Sequence, residues 1–287
     1  MNRVLPVLTV IGVIVAVWYA ATVWMNRTWV YDQAARDGVE VSFAQLVPAT
    51  LNQERPVLPA PHQVVTELVK STFGMKVTSK KSLVYHGWVT LSATLLGFAI
   101  GTGAGVLLAV GIIHNRAMDL SVMPWAIASQ TIPILAIAPM IIVVLNSIGV
   151  QGLLPKAIIS AYLSFFPVVV GMVKGLRSPD AMQLDLLRTY NATGSETFAK
   201  LRLPSSMPYL FTSLKVGIAA SLVGAIVGEL PTGAVAGLGA RLLSGSYYGQ
   251  TVQIWAALFA AALVAAALVA LVGVIEGRVL RRMGMAR

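Results

Sequence analysis

Continuous apolar runs of about twenty residues, enough to cross a bilayer as a helix, recur along the chain and are separated by polar segments. The runs lack the strict alternation of a membrane β-barrel. In lipid the backbone must satisfy its own hydrogen bonds, so each run is predicted to be helical. Six spans are expected: Val4–Trp24, Leu83–Ile113, Leu120–Ile148, Ala157–Leu176, Tyr209–Leu230 and Val252–Ile275. The third holds Pro124, Pro133 and Pro139 and the fourth holds Pro167, which membrane bundles tolerate where neighbours or water compensate. A signal peptide competes for the first run, but its long apolar core and Trp18, Tyr19 and Trp24 suit a retained, interfacially anchored span. In the second, Gly97, Gly101 and Gly105 repeat every four residues, a spacing that lets two helices approach closely.

The polar segments organise the rest. Residues 26–82 form an external segment with a surface helix over Gln63–Phe73, whose Val64, Val65, Leu68 and Val69 share one face. That face suits either the membrane surface or packing on the bundle. Residues 83–276 form a five-helix core that includes a polar loop at 177–204, and 277–287 is a basic tail with Arg278, Arg281, Arg282 and Arg287. Six spans put both termini on one side, and the basic tail and loop make that side cytoplasmic.

Composition agrees: 57% of the 287 residues are hydrophobic and 11% charged, with a mean hydropathy of +0.78. A soluble domain carries about a quarter charged residues. The net charge of +10 comes from basic residues at span ends, where contact with anionic headgroups accounts for it without nucleic acid. There is no cysteine, His62, His86 and His114 are scattered, and no metal cluster, nucleophile motif or phosphate-binding P-loop is present.

The loop at 177–204 carries the chemistry. Asp180–Tyr190 has Met182, Leu184, Leu186 and Leu187 among polar residues and reads as a short amphipathic helix that includes Arg188. Asn191 and Gly194 both tolerate a left-handed turn. Ser195 is then placed as the N-cap of a second helix to about Lys200, ended by Pro204 and Pro208.

At these residues the chain resembles the transmembrane subunit of bacterial ABC importers of the nitrate/sulfonate/taurine type. In the family's cytoplasmic motif, Asp185 takes the acidic position, Leu186 and Leu187 stand for two alanines, and Asn191 stands for a glycine. Ala192, Phe198, Leu203 and Pro204 follow the pattern. Gln130–Pro139, Gly175–Ser178, the Gly237-Leu-Gly239 triplet and the Leu58-Pro-Ala-Pro stretch extend the likeness to nearly the whole chain except about 26–56, which looks like an insertion. Residues 229–234 and 239–243 are closest to a branch that carries pyrimidine vitamin precursors.

The resemblance implies an all-α polytopic membrane protein of the type I ABC importer permease fold, in a bacterial inner membrane with residues 26–82 periplasmic. It implies a complex with a cytoplasmic ABC ATPase dimer, a second permease subunit (the same chain or a homologue) and a periplasmic solute-binding protein. The chain itself would bind no cofactor; ATP and Mg would belong to the ATPase. The solute would be a small organic or inorganic anion or a heterocycle. Asp185, Leu186, Leu187, Arg188, Asn191, Ala192, Gly194, Phe198, Leu203 and Pro204 would couple the ATPase to the spans, so that Asn191→Pro or Gly194→Val uncouples hydrolysis from transport. Polar residues inside spans, namely Ser129, Gln130, Thr131, Asn146, Ser164 and Ser221, with Pro133, are pathway candidates, although such groups also bond helix to helix. Glu229 near the end of the fifth span is a further candidate, with a contact to the binding protein or a structural ion pair as alternatives. Lys174 and Lys215 are expected to snorkel. The competing reading is an ion-coupled secondary carrier, which needs intramembrane carboxylates and usually an internal repeat.

Overall fold

The computed structural model describes residues 4–231 and 234–285. Thr232, Gly233 and Arg287, which fall in segments named above, lie outside the described residues. Among those described, every regular element is helical: α1 (Val4–Asp37), α2 (Phe43–Leu51), α3 (Pro61–Phe73), α4 (Leu83–His114), α5 (Arg116–Ser129), α6 (Ile134–Ser147), α7 (Leu153–Leu176), α8 (Ala181–Thr189), α9 (Gly194–Thr197), α10 (Leu203–Glu229), α11 (Leu238–Tyr247) and α12 (Thr251–Arg282). By length and apolar character α1, α4, α7, the run ending in α10, and α12 can each cross a membrane, and α5 with α6 makes a sixth if counted as one broken span.

That sixth span departs from expectation. The apolar run at 120–148 is not one helix but two, bent by 99° at Gln130–Pro133. Pro133 has no N–H and takes an extended conformation before α6, which ends one helix and starts the next. Pro124 and Pro139, by contrast, sit inside α5 and α6.

The chain forms two compact units, Met1–His86 with Ala240–Ala261, and Gly87–Gly239 with Ala262–Arg287. In the first, α1 continues well past residue 25. Its buried Asn26 serves as a clip: Oδ1 accepts from the N–H groups of Val57 and Leu58 at 2.9 and 3.2 Å, and Nδ2 donates to the carbonyls of Thr50 and Leu58 at 3.2 and 2.9 Å. Trp18 Nε1 donates to Pro59 O at 3.0 Å and its ring stacks on Phe259 at 5.8 Å. The stretch at 26–56 is therefore ordered helix and turn, tied to the Leu58-Pro-Ala-Pro segment. α3 packs on α1. Its expected apolar face divides: Val64 turns inward with Ser71, whereas Val65 and Val69 are exposed.

The second unit is built on α7 and α10. The glycine row of α4 meets α7 at contact distance: a Cβ at Gly101 would overlap the Ser164 hydroxyl, and one at Gly105 would stand 3.0 Å from Val168. Around this seam Ala109, Ile112, Val169, Met172, Val173 and Leu176 form a core at one end, and Ala138, Ile142, Ile159 and Val227 form a second cluster.

Candidate functional site

The polar hairpin at 180–203 is built by local rules. Asp180 starts α8, with its N–H donating to Gln183 Oε1 at 3.2 Å. The helix ends at Asn191, which alone among the described non-glycine residues has positive φ, at 54°. There the Asn191 N–H donates to Arg188 O at 2.9 Å and the Ala192 N–H to Leu187 O at 3.0 Å. This is the bond pattern of a Schellman turn, with asparagine in the place glycine usually takes. Gly194, the other residue thought fit for a left-handed turn, does not use that freedom: it is the first residue of α9, and a Cβ there meets only open space.

Thr193, not Ser195, caps α9. Its Oγ1 accepts from the Glu196 N–H at 3.3 Å, while its own N–H donates to Glu196 Oε2 at 2.9 Å. This reciprocal pair is a capping box, and Lys200 Nζ adds a contact to Glu196 Oε1 at 3.1 Å. Phe198–Arg202 then forms one π-helical turn, in which the Leu203 N–H reaches back to Phe198 O. Pro204, expected to end the second helix, instead lies within a continuous helical run, directly after the π-helical turn and at the start of α10, and Pro208 follows inside α10.

The hairpin is fastened to the spans at several points. Arg202 Nη1 donates to Leu176 O at 3.1 Å, and Arg177 pairs with Asp119 at 2.7 Å. The Phe198 ring lies tilted against the His114 ring with centroids 5.1 Å apart, and Leu203 packs into the core cluster of α4 and α7. At Gly175 a Cβ would approach Ser206 to 2.9 Å, so α7 and α10 touch at their hairpin ends.

The outward surface is different. No residue of α8 is buried. Met182, Leu186 and Tyr190 are 81%, 56% and 77% exposed, and their four-residue spacing aligns them as one apolar ridge. Asp185 and Arg188 flank it as an exposed ion pair at 2.9 Å, and Leu187 turns partly inward. Met182 and Tyr190 were absent from the residues singled out for this surface; their four-residue register with Leu186 was the available signal.

The expected pathway residues separate into three groups. Ser164 and Ser221 are buried and bond between or within helices: Ser221 Oγ donates to Thr94 O at 2.9 Å and lies 2.6 Å from Ser160 Oγ, while Ser164 Oγ donates to Ser160 O at 3.2 Å. Ser129, Gln130, Thr131 and Pro133 gather at the α5–α6 bend. There Ser129 and Thr131 hydroxyls donate to local carbonyls, and the Tyr162 hydroxyl donates to Ser129 O. The buried Nε2 of Gln130 finds no hydrogen-bond partner among the described residues. Asn146 opens onto a cleft of about 490 Å³ with Gln151, Lys156 and Ala234–Ala236.

Glu229 is completely buried. Thr90 Oγ1 donates to its carboxylate, 3.0 Å from each oxygen, and the Gly239 N–H donates to Oε2 at 2.8 Å. The expected snorkelling of Lys215 is replaced by an ion pair with Glu276 between α10 and α12. Lys174 lies over the Tyr209 ring, 5.9 Å from its centroid.

A family model for the binding-protein-dependent transport system inner membrane component matches residues 101–285. The chain belongs to this family. The permease is 31% identical over 183 residues to the formylaminopyrimidine transport permease protein ThiX of Halalkalibacterium halodurans, covering 64% of this chain and 68% of the relative. It is 30% identical over 225 residues to the riboflavin transport system permease protein RibX of Chloroflexus aurantiacus, covering 78% and 80%. The putative aliphatic sulfonates transport permease protein SsuC of Bacillus subtilis is 24% identical over 225 residues, covering 78% of each. The permease is thus a membrane-spanning subunit of an ABC importer, and the ion-coupled carrier reading falls away.

Proposed function

We propose that the permease, paired with a second permease subunit, forms the pathway through which a periplasmic binding protein delivers a small heterocyclic solute, and that the 180–203 hairpin transmits ATPase closure to α7 and α10. The observation that carries this is the hairpin itself: an exposed ridge of Met182, Leu186 and Tyr190 on one side, and rigid ties to both span ends on the other. An apolar ridge rimmed by Asp185 and Arg188 is suited to a groove on a partner protein. ATP and Mg are then held by the ATPase dimer and hydrolysed there, since this chain carries no P-loop. Both termini are cytoplasmic, with the basic tail and hairpin on that side.

The Asn146–Gln151–Lys156 cleft supplies polar groups for the solute. Similarity to permeases named for formylaminopyrimidine and riboflavin supports a heterocycle, whose ring nitrogens and carbonyls can accept from the side-chain donors of Asn146, Gln151 and Lys156. The solute shifts the transport equilibrium only by its differential affinity for the two states. The test is ATPase stimulation in nanodiscs holding the complex, with purified binding protein and a panel of pyrimidines, flavins, sulfonates and nitrate. Stimulation by a heterocycle is expected. Stimulation by sulfonate or nitrate alone would overturn the solute class.

A further inference from the structure

The cleft facing Asn146 has a wall whose position is set from behind. Ala234, Val235 and Ala236 line it opposite Gln151 and Lys156, and Lys156 Nζ donates across to Ala236 O at 3.4 Å. Just beyond that wall, the Leu238 N–H donates to Thr90 Oγ1 at 2.8 Å and the Gly239 N–H to Glu229 Oε2 at 2.8 Å. Thr90 and Glu229 are both fully buried and bonded to each other. The fit leaves no slack. Gly237 holds φ at +125°, where a Cβ would overlap the Glu229 carboxyl, and a Cβ at Gly239 would come within 2.9 Å of Glu229 Cβ. This is the physical reason for glycines at both ends of the Gly237-Leu-Gly239 triplet.

We infer that Glu229, acting with Thr90, is a positioning residue that fixes the Ala234–Ala236 wall against Asn146, Gln151 and Lys156 and thereby sets which solute the cleft admits. The carboxylate cannot touch a solute, since all of it is enclosed and it is engaged by a hydroxyl and a backbone amide. A buried carboxylate is tolerable only with such donors, and the donors here belong to the segment that ends the cleft wall. The bond network joins α4 through Thr90 and α10 through Glu229 to one short stretch of chain, so a shift in either helix moves the wall. The inference rests on the proposed function for the reading of the cleft as part of the solute pathway; the tie itself is a property of the fold.

The chain has no cysteine, so Val235→Cys, labelled on the permease before assembly, gives one exposed nitroxide site per copy on the wall. In the full complex in nanodiscs, Thr90→Val keeps the side-chain volume and removes the hydroxyl, Thr90→Ser restores it, and Glu229→Ala removes the carboxylate. The expected result is a mobile label in Thr90→Val and Glu229→Ala and an ordered label in Thr90→Ser. Alongside it, the KM for solute in ATPase stimulation rises about tenfold in Thr90→Val, as displacement of the cleft wall predicts, and returns in Thr90→Ser. Should Glu229→Ala fail to assemble, the volume-matched Thr90 pair still decides. An ordered label in Thr90→Val would overturn the tie. A mobile label with an unchanged KM would overturn its role in solute selection. Absence of stimulation in the parent would count against the proposed function, while the label spectra would still read the tie.

Discussion

Asn191→Pro tests the hairpin as a transmission element. In the native turn Asn191 holds φ at 54° and its N–H donates to Arg188 O at 2.9 Å. Proline locks φ near −65° and has no N–H. The turn then cannot form, and the Ala192 bond to Leu187 O goes with it. Two hydrogen bonds at about 1 kcal/mol each and a native φ that proline cannot adopt, at more than about 1 kcal/mol, sum to about 3 kcal/mol or more. At about 1.4 kcal/mol per tenfold, the native hairpin loses more than a hundredfold in population. α8 buries no residue, so the core of α4 and α7 is untouched and the complex should melt near the parent temperature. The assay is ATPase activity of the reconstituted complex with and without solute-loaded binding protein. Basal activity should persist and stimulation should vanish. Asn191→Gly, which accepts the same φ freely, should keep stimulation. Full stimulation in Asn191→Pro would refute the reasoning.

Other outcomes follow from single contacts. Gly194→Val should retain stimulation, contrary to the expectation from sequence, because the position is helical and its Cβ faces open space; the same ATPase assay checks it. Replacing Met182 and Tyr190 by alanine should abolish co-purification of the ATPase while leaving the melting temperature of the permease within about 2 °C, as exposed positions cost little. Lys215→Met should destabilise by about 1 kcal/mol by leaving the half-buried Glu276 without its partner, and adding Glu276→Gln should recover most of it, measured as a double-mutant cycle in thermal melts. Gly101→Leu should part α4 from α7 at Ser164, costing about 1–3 kcal/mol or more, read as a lowered melting temperature.

How far the sequence could be read depended on the range of the interactions. Spans declare themselves through local hydropathy, and the hairpin through a polar stretch between two of them, so both were legible. The bend at Gln130–Pro133 was not, because the run stays apolar on both sides and three prolines in it gave no sign which one would end a helix. Only Pro133 lies between helices; Pro124 and Pro139 are absorbed within them. Pro204 misled for a related reason: it is absorbed in a helical run, just after the π-helical turn at Phe198–Arg202. The Thr90–Glu229 bond and the Lys215–Glu276 pair join helices far apart in the chain, and no local pattern announces such a partner. The Gly237-Leu-Gly239 triplet was visible as a motif, but what it packs against needed coordinates.

Transport itself tests the central claim most directly: uptake of the stimulating solute into proteoliposomes containing the permease and its ATPase, with binding protein outside, ATP inside and ionophores collapsing every ion gradient. Uptake that needs both ATP and the binding protein, persists with the ionophores, and is lost in Asn191→Pro is the expected result. Uptake driven by an ion gradient without nucleotide would contradict it.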